Sequence, residues 1–279
     1  MTISAIIVIY NPNHYLLQKT IDSIYNQVNT IIIVNNSDSC YIHNKKNIIT
    51  INLMGNFGIA YAQNRGIEKA QELNSTYILL SDQDTIYPNN YVNQMLSTNN
   101  YSENIICPIF YDNIKNEISP IMITKFSKIT NIYEPTYVAH AISSGTIIKT
   151  IILNEIGLMN ESLFIDYVDF EWCWRATHLG FRISANPFAK INHQLGDGYK
   201  KIINKKVTLR SNQRYYYIIR NGFYLSFYTP FLRYFEKTLL LKRTIYFSIG
   251  VFLLKKQILP VLLKAFIDAL FKRMGKLLS

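Results

Sequence analysis

Ser4-Ala5-Ile6-Ile7-Val8-Ile9-Tyr10, followed by Asn11-Pro12-Asn13 and then by Leu16-Leu17-Gln18-Lys19-Thr20-Ile21-Asp22-Ser23-Ile24-Tyr25, decides the fold class. The first block is a continuous β-branched run of the kind found in strands buried on both faces, and the second sets Leu17, Ile21 and Ile24 at helical spacing. The alternation recurs: strands are expected over residues 30–34, 48–53 and 77–80, with a helix over 59–73 between the last two. Alternating units of this kind predict an α/β fold with a mixed, mostly parallel central sheet and helices on its faces. Such sheets bind ligands at the carboxyl ends of their strands, and the residues standing there, Asn11, Asn35, Asn36, Asn56, Asp82 and Asp84, are all polar. From 105 to 193 the pattern reads as strands over 105–111 and 137–148, a helix over 170–179, and short strands near 182–185 and 190–193.

The 279 residues are 49% hydrophobic and 17% charged, which excludes a disordered chain and a disulfide-stapled miniprotein. The net charge of +11 is unevenly placed. Residues 1–197 carry 12 basic and 16 acidic side chains, a net of −4, whereas residues 198–279 carry 17 and 2, a net of +15. We therefore expect a catalytic domain over 1–197 and a basic helical region over 198–279 that associates with a membrane or forms oligomers. Cys40, Cys107 and Cys173 form no Cys-x-x-Cys pair and read as reduced cytosolic thiols. The N-terminus lacks a basic n-region and does not resemble a signal peptide. The longest late apolar run, 244–254, is closed by Lys242, Arg243, Lys255 and Lys256, so no spanning helix is expected. Residues 258–274 read as an amphipathic helix with Lys264, Asp268 and Lys272 on one face and Leu259, Leu262, Leu263, Phe266, Leu270 and Phe271 forming an apolar surface. That surface suits an anionic membrane interface, and equally packing on the catalytic domain or on a second copy in a homo-oligomer.

Four segments carry groups capable of chemistry. Asp82-Gln83-Asp84 puts two carboxylates at a strand end, which suits a hard divalent cation and equally a solvated turn. Gly55-Asn56-Phe57-Gly58 feeds a helix and suits a tight left-handed turn before it, or else the approach of backbone N–H groups to a phosphate or ribose, although neither Gly-x-Gly-x-x-Gly nor a Walker loop is present. Phe164-Ile165-Asp166-Tyr167-Val168-Asp169-Phe170-Glu171-Trp172-Cys173-Trp174-Arg175 places three carboxylates among aromatic rings. Of these, Glu171 and Arg175 have the spacing of an intrahelical pair, and Asp169 the place of an N-cap. His193 ends a short strand before Gly196-Asp197-Gly198.

Taken together, Ile7-Val8-Ile9-Tyr10-Asn11-Pro12, Val34-Asn35-Asn36-Ser37, Gly55 to Ala60 with Gln63-Asn64-Arg65-Gly66, Asp82-Gln83-Asp84, Ser144-Gly145, the Asp166 to Arg175 block and His193 resemble the family 2 glycosyltransferases. Within that family the resemblance is to rhamnosyltransferase-like bacterial polysaccharide enzymes. It implies a GT-A nucleotide-sugar-binding fold and inverting, non-processive transfer of one sugar, rhamnose from dTDP-rhamnose or else a hexose from a UDP donor. The acceptor would be a saccharide, free or linked to polyprenyl diphosphate, met at the cytoplasmic face of the membrane. By the same resemblance Tyr10, Asn11, Asn35, Asn36, Asn56 and Gln63 line the nucleotide pocket and Asp82 lies near the ribose and diphosphate. Asp84 and His193 would hold Mg or Mn, and Asp169 would be the catalytic base. The chain departs from the family's pattern in having Asn35 where an acid is common and Val168 before Asp169, which leaves Asp166 as the other candidate base. Gln213-Arg214-Tyr215 does not match the Gln-x-x-Arg-Trp of processive synthases. Two other classes remain as alternatives: a nucleotidyltransferase, against which stands the absence of a Gly-rich loop after the first strand, and a nucleic-acid binder, which would leave the strand-end acids without a role. No nucleic-acid partner is expected.

Overall fold

The computed structural model describes residues 1–97, 104–112, 117–119, 121–124, 127–129, 132–192, 199–202, 205–208 and 210–277. Its elements in chain order are β1 (Ile3–Ile9), α1 (His14–Tyr25), β2 (Thr30–Asn35), β3 (Ile48–Asn52), α2 (Ile59–Glu72), β4 (Tyr77–Asp82), α3 (Tyr91–Ser97), β5 (Ile105–Asp112), β6 (Glu117–Ile118), β7 (Ile121–Met122), β8 (Lys128–Ile129), β9 (Thr136–Val138), β10 (Ile147–Lys149), α4 (Leu153–Ile156), α5 (Val168–His178), β11 (Ile183–Asn192), β12 (Tyr199–Ile202), β13 (Lys205–Thr208), α6 (Asn212–Tyr228), α7 (Tyr234–Leu254) and α8 (Leu259–Leu270).

All seven residues of β1 are buried, because the strand lies inside the sheet between β2 and β4, parallel to both. Its alternating side chains feed two cores. Ile6 and Val8 pack on the α2 and α5 side, while Ile3, Ala5, Ile7 and Ile9 pack with Leu17, Ile21 and Ile24 of α1. The main sheet runs β3-β2-β1-β4-β10-β5-β11-β9, with β6 added on β5. Strand β10 runs antiparallel to both β4 and β5, and β11 returns parallel to β5. A mixed, mostly parallel sheet clasped by helices is the expected fold class.

Two expected strands differ from those observed. The run over 137–148 is broken into β9 and β10 because Ser144-Gly145 turns the chain, with Gly145 at φ +80° and no room for a Cβ beside the Tyr91 hydroxyl. The two short strands expected near 182–185 and 190–193 are one strand, β11, whose register shifts between Asn186 and Lys190.

Beyond the sheet, α6, α7 and α8 form a third core around Tyr215, Tyr216, Tyr217, Ile219 and Phe223, and Phe164 inserts into it from the α5 side. Helix α8 packs through a face that mixes the two expected ones, with Asp268 of the polar face and Leu262 of the apolar one both buried. Leu262, Ala265, Asp268 and Ala269 are its buried residues, and Asp268 accepts a 2.7 Å hydrogen bond from the Tyr216 hydroxyl. The small alanines let α8 approach α6 closely, so Leu259, Leu263, Phe266, Ile267, Leu270 and Phe271 are left exposed. Among the described residues no helix is long and apolar enough to cross a membrane.

Candidate active site

The carboxyl ends of β1, β2 and β4 open into a cleft of about 930 Å³, closed on its far side by residues 164–170 and α6. At the end of β4, the Asp82 N–H donates to Ser144 Oγ (3.2 Å), which in turn pairs with Thr85 Oγ1 (2.7 Å). The Gly145 N–H bonds the Leu80 carbonyl (2.7 Å), so the Ser144-Gly145 turn pins the loop that carries Asp82, Gln83 and Asp84. Gln83 reaches back and accepts the Tyr10 N–H (2.8 Å), tying the ends of β1 and β4 together.

Across the cleft, Asp169 lies in the first turn of α5 with its Oδ2 accepting the Ser143 backbone N–H (3.1 Å). It is not the N-cap. That position belongs to Tyr167, in the left-handed region at φ +64° and ψ 0°, and Asp166 and Phe164 also have positive φ, at +64° and +65°, Phe164 with ψ −64°. Three such residues without glycine strain the segment, and α6 holds it in place. Asn221 Nδ2 donates to the carbonyls of Leu163 (3.0 Å), Ile165 (2.8 Å) and Asp166 (2.9 Å), while Arg220, 1% exposed, donates to Leu163 and Gly275 carbonyls. The Asp166 carboxylate faces the cleft in a bidentate pair with Arg214 (2.8 and 2.7 Å). On the opposite rim, Gly58 at φ +93° presses against Phe164, whose carbonyl a Cβ would meet at 2.6 Å, and the Ile59 N–H bonds that same carbonyl (2.8 Å).

The electrostatics follow from this crowding. Burial, together with the charges of Asp84 and Asp169, pushes the Asp82 carboxyl up to about 7, opposed by Arg214. Burial, with a smaller contribution from Asp166, raises Asp169 above the ordinary carboxylate range, partly offset by the Ser143 hydrogen bond. An under-compensated negative group of this kind suits a divalent cation. Among the described residues no three His, Cys, Asp or Glu side chains could hold a metal by themselves. Mg²⁺-type ions commonly take one or two carboxylates and complete their shell with substrate phosphate and water, so Asp82 and Asp84 fit such an ion.

Six of the expected site residues line this one cleft: Tyr10, Asn36, Asn56, Asp82, Asp84 and Asp169. Asn36 and Asn56 are joined through Asn36 Nδ2 and Asn56 Oδ1 (3.2 Å), and Asn36 Oδ1 accepts the Phe57 N–H (2.8 Å). Asn11, Asn35 and Gln63 are not among the lining residues. The Asn35 side chain is 1% exposed and donates to the Ser39 carbonyl and Asn52 Oδ1, which fixes the loop after β2. Asn11, at φ +43°, donates its N–H to Ser37 Oγ, and Gln63 lies buried on α2 with Oε1 unpaired among the described residues. His193 lies outside the described residues.

Glu171 is 4% exposed and pairs with Arg175, whose other contacts are the Ile156 and Leu158 carbonyls, so this acid anchors the loop before α5. Sequence reasoning missed the cleft's cations. Arg210, Arg214 and Lys276 line it from the C-terminal region, beside Gln213 and Tyr217, so it extends beyond residues 10–193. No local pattern marked them, since Arg210 and Lys276 lie outside any helix or strand and only Arg214 lies on α6.

The profile of Glycosyl transferase family 2 matches residues 4–157. The chain belongs to this family. It is also 32% identical over 234 residues, 80% of its own length and 79% of the relative's, to the dTDP-rhamnosyl transferase RfbF of Shigella flexneri. Among solved structures it resembles S. aureus TarS in complex with UDP-GlcNAc, with a TM-score of 0.64 and 16% identity over 96% of this chain and 81% of that one. It also resembles GalNAc-T7 with UDP, GalNAc and Mn²⁺, with a TM-score of 0.59 and 14% identity over 87% of this chain and 54% of that one. At these identities the structural likenesses show the fold, which is that of the GT-A glycosyltransferases. The protein is thus a glycosyltransferase that uses a nucleotide sugar, and the nucleotidyltransferase alternative is set aside.

Proposed function

We propose that this glycosyltransferase moves a single rhamnose from dTDP-rhamnose, with inversion, to a saccharide acceptor of cell-surface polysaccharide, and that the acceptor is carried on a lipid diphosphate. The donor assignment is supported by the likeness to RfbF. The observation that carries the chemistry is the convergence of Asp82, Asp84 and Asp169 with Arg210, Arg214 and Lys276 on one cleft. Asn36, Asn56 and Tyr10 would frame the nucleotide, and Asp82 would lie near the ribose and diphosphate. Asp84 and Asp82, with His193, would hold Mg²⁺ or Mn²⁺. Bound there, the ion would offset negative charge on the leaving diphosphate, more in the transition state than in the ground state. Arg210 and Lys276 would act on the same charge from the other wall.

Asp169 accepts the proton of the acceptor hydroxyl as its oxygen forms the new bond to the anomeric carbon. The bond from that carbon to the diphosphate oxygen breaks, and its electron pair leaves with the nucleotide. Asp169 is favoured over Asp166 because Asp166 is already held bidentately by Arg214, whereas the Asp169 carboxylate is hydrogen-bonded through Ser143 and burial raises it above the ordinary carboxylate range.

The exposed stripe on α8, flanked by Lys264, Lys272 and Arg273, would rest on an anionic membrane surface, where apolar insertion and basic contacts act together. Exposed Tyr246, Ile249 and Leu253 of α7, with Lys255 and Lys256 just beyond, supply a second apolar and basic stretch. A donor screen tests the assignment: purified protein with Mn²⁺ should hydrolyse dTDP-rhamnose faster than UDP-hexoses. Preference for a UDP-hexose would replace the donor, and hydrolysis of none would remove the reading of the cleft.

A further inference from the structure

Residues 272–277 follow α8 and come back against α6 as a strap that reaches the donor cleft. Lys272 at φ +55° and Gly275 at φ +83° supply its bends. The Gly275 N–H donates to the Ser162 carbonyl (2.7 Å) and the Leu277 N–H to the Tyr217 hydroxyl (2.8 Å). Arg220, 1% exposed, donates to the carbonyls of Gly275 (2.6 Å) and Leu163 (3.0 Å), so one buried guanidinium joins the strap to the loop that leads to Asp169. Burying a guanidinium is costly unless its donors are filled, and filling them here fixes the strap. Met274 and Leu277 pack on the apolar cores, whereas Lys276 between them is exposed and lines the cleft. Arg214 on the same lining is committed to Asp166, but Lys276 has no ion-pair partner among the described residues, although Asp38, Asp82, Asp84 and Asp169 line the space it reaches.

We propose that this strap belongs to the donor site: it holds Lys276 against the diphosphate of the nucleotide sugar, and Lys276 is the residue through which the cleft prefers a nucleoside diphosphate to a nucleoside monophosphate. The proposal rests on the transferase reading of the cleft and adds to it the element that sets the lysine's position. A lysine on a free tail would lose backbone and rotamer freedom on reaching a phosphate, which offsets much of the attraction. With the backbone on both sides already fixed, only the side chain remains to be ordered, and the ammonium acts as a preplaced point charge. Its basic neighbours are engaged elsewhere, Lys264 and Arg273 with Asp268 and Lys272 over the Tyr228 ring. The strap's anchors also hold Ser162 and Leu163, so the residue on the leaving group and the loop carrying the base are placed by one set of bonds.

The test is isothermal titration calorimetry on the full chain with Mn²⁺, using thymidine, dTMP and dTDP, with uridine, UMP and UDP in parallel; the series whose diphosphate binds the parent more tightly is the one compared. Lys276→Ala should weaken the diphosphate by about tenfold, the monophosphate by about threefold or less and the nucleoside not at all, and Lys276→Arg should restore most of the loss. Gly275→Pro removes the N–H that bonds Ser162 and cannot adopt φ +83°, so it should dislodge the strap and weaken the diphosphate to a similar degree. In the Lys276→Ala background Gly275→Pro should add little, because both act through one ammonium. Lys276 is exposed, so its variants test the contact whether or not Gly275→Pro folds, and Tyr217→Phe, which takes away the acceptor of the Leu277 N–H, repeats the strap test if it does not. Unchanged diphosphate affinity in Lys276→Ala, an equal loss for the nucleoside, or additive losses in the double variant would each overturn the proposal with the cleft reading intact. Failure of both dTDP and UDP to bind the parent would instead remove the cleft reading and the proposal with it.

Discussion

Replacing Asn221 should weaken the base-bearing loop more than any exposed position on α6, because this one amide holds three carbonyls of a strained segment. Phe164, Asp166 and Tyr167 all have φ near +65°, a sparsely populated backbone for a non-glycine residue that costs about 1–3 kcal/mol each. Opposing that strain are the hydrogen bonds of Asn221 to Leu163, Ile165 and Asp166, with Arg220 bonding Leu163 from the same helix. Asn221→Ala deletes two N–H donors and leaves buried carbonyls unpaired, at about 1–3 kcal/mol for each group left unsatisfied. The expected loss is about 2–5 kcal/mol in urea unfolding. Because the loop positions Asp169, kcat for transfer should fall at least about tenfold, while donor affinity, which depends on β1, β2 and β4, changes little. Asn221→Asp keeps the shape but turns an acceptor toward the three carbonyls, and should be no better than alanine. Asn212→Ala, on the exposed first turn of the same helix, should stay within about 0.5 kcal/mol of the parent. A loss below about 1 kcal/mol for Asn221→Ala with kcat intact would show that the loop keeps its conformation without α6 and would refute the reasoning.

Asp169→Asn should lower transfer by at least about a hundredfold while donor binding survives, with a smaller effect from Asp166→Asn; the reverse order would make Asp166 the base. Since Asp169 must be ionised to take a proton and its pKa is raised, transfer should decline with falling pH at higher pH than an ordinary aspartate would set, and Asp166→Asn, by removing a negative neighbour, should move that acid limb downward in a pH–rate profile. Asp84 is exposed, so Asp84→Ala should abolish Mn²⁺-dependent turnover without shifting the melting temperature; unchanged metal dependence would remove it as a ligand. Leu263 and Leu270 point outward, whereas Phe266 also packs edge-on against Phe223, so changing Leu263 and Leu270 to Ser should release the protein from anionic vesicles in flotation while leaving the fold intact; retention on vesicles would take the membrane contact away from α8.

The half of the molecule that builds the sheet was legible because each strand declares itself locally. A β-branched run ending in a polar residue gives both the buried strand and the strand-end position, which is how Asp82 and Asn36 were found. The closing wall was not legible. Arg214, Arg220 and Asn221 sit in a basic, tyrosine-rich stretch whose periodicity predicts burial but not the partner, and the partner is a loop 48 to 58 residues earlier in the chain. Asp166 was ambiguous for the same reason: only the position of Arg214 separates a paired carboxylate from an available one. On α8 the apolar residues were legible, but Leu262 among them is buried with Asp268, because hydrophobicity does not say which face packs. Ala265 and Ala269 permit close approach to α6, and the Tyr216 hydroxyl gives Asp268 a buried partner, so the larger apolar side chains face outward.

One helix therefore connects three parts of the molecule. From α6, Arg214 fixes Asp166 at the cleft, Asn221 and Arg220 fix the loop leading to Asp169, and Tyr216 fixes Asp268 of α8. Leu240 and Arg243 of the neighbouring α7 line a cavity of about 310 Å³ whose wall at Phe170 adjoins the cleft. Rotation of α6 would disturb the base, the cation at the cleft and the exposed stripe of α8 together, so these features should not vary independently. A protein resting on a membrane through α8 would hold its cleft at a fixed orientation to that surface. That arrangement suits an acceptor whose sugar is tethered to the lipid: the tether limits how far the reacting hydroxyl can travel, and a base fixed by the same helix that supports the docking face removes the need for a separate alignment step.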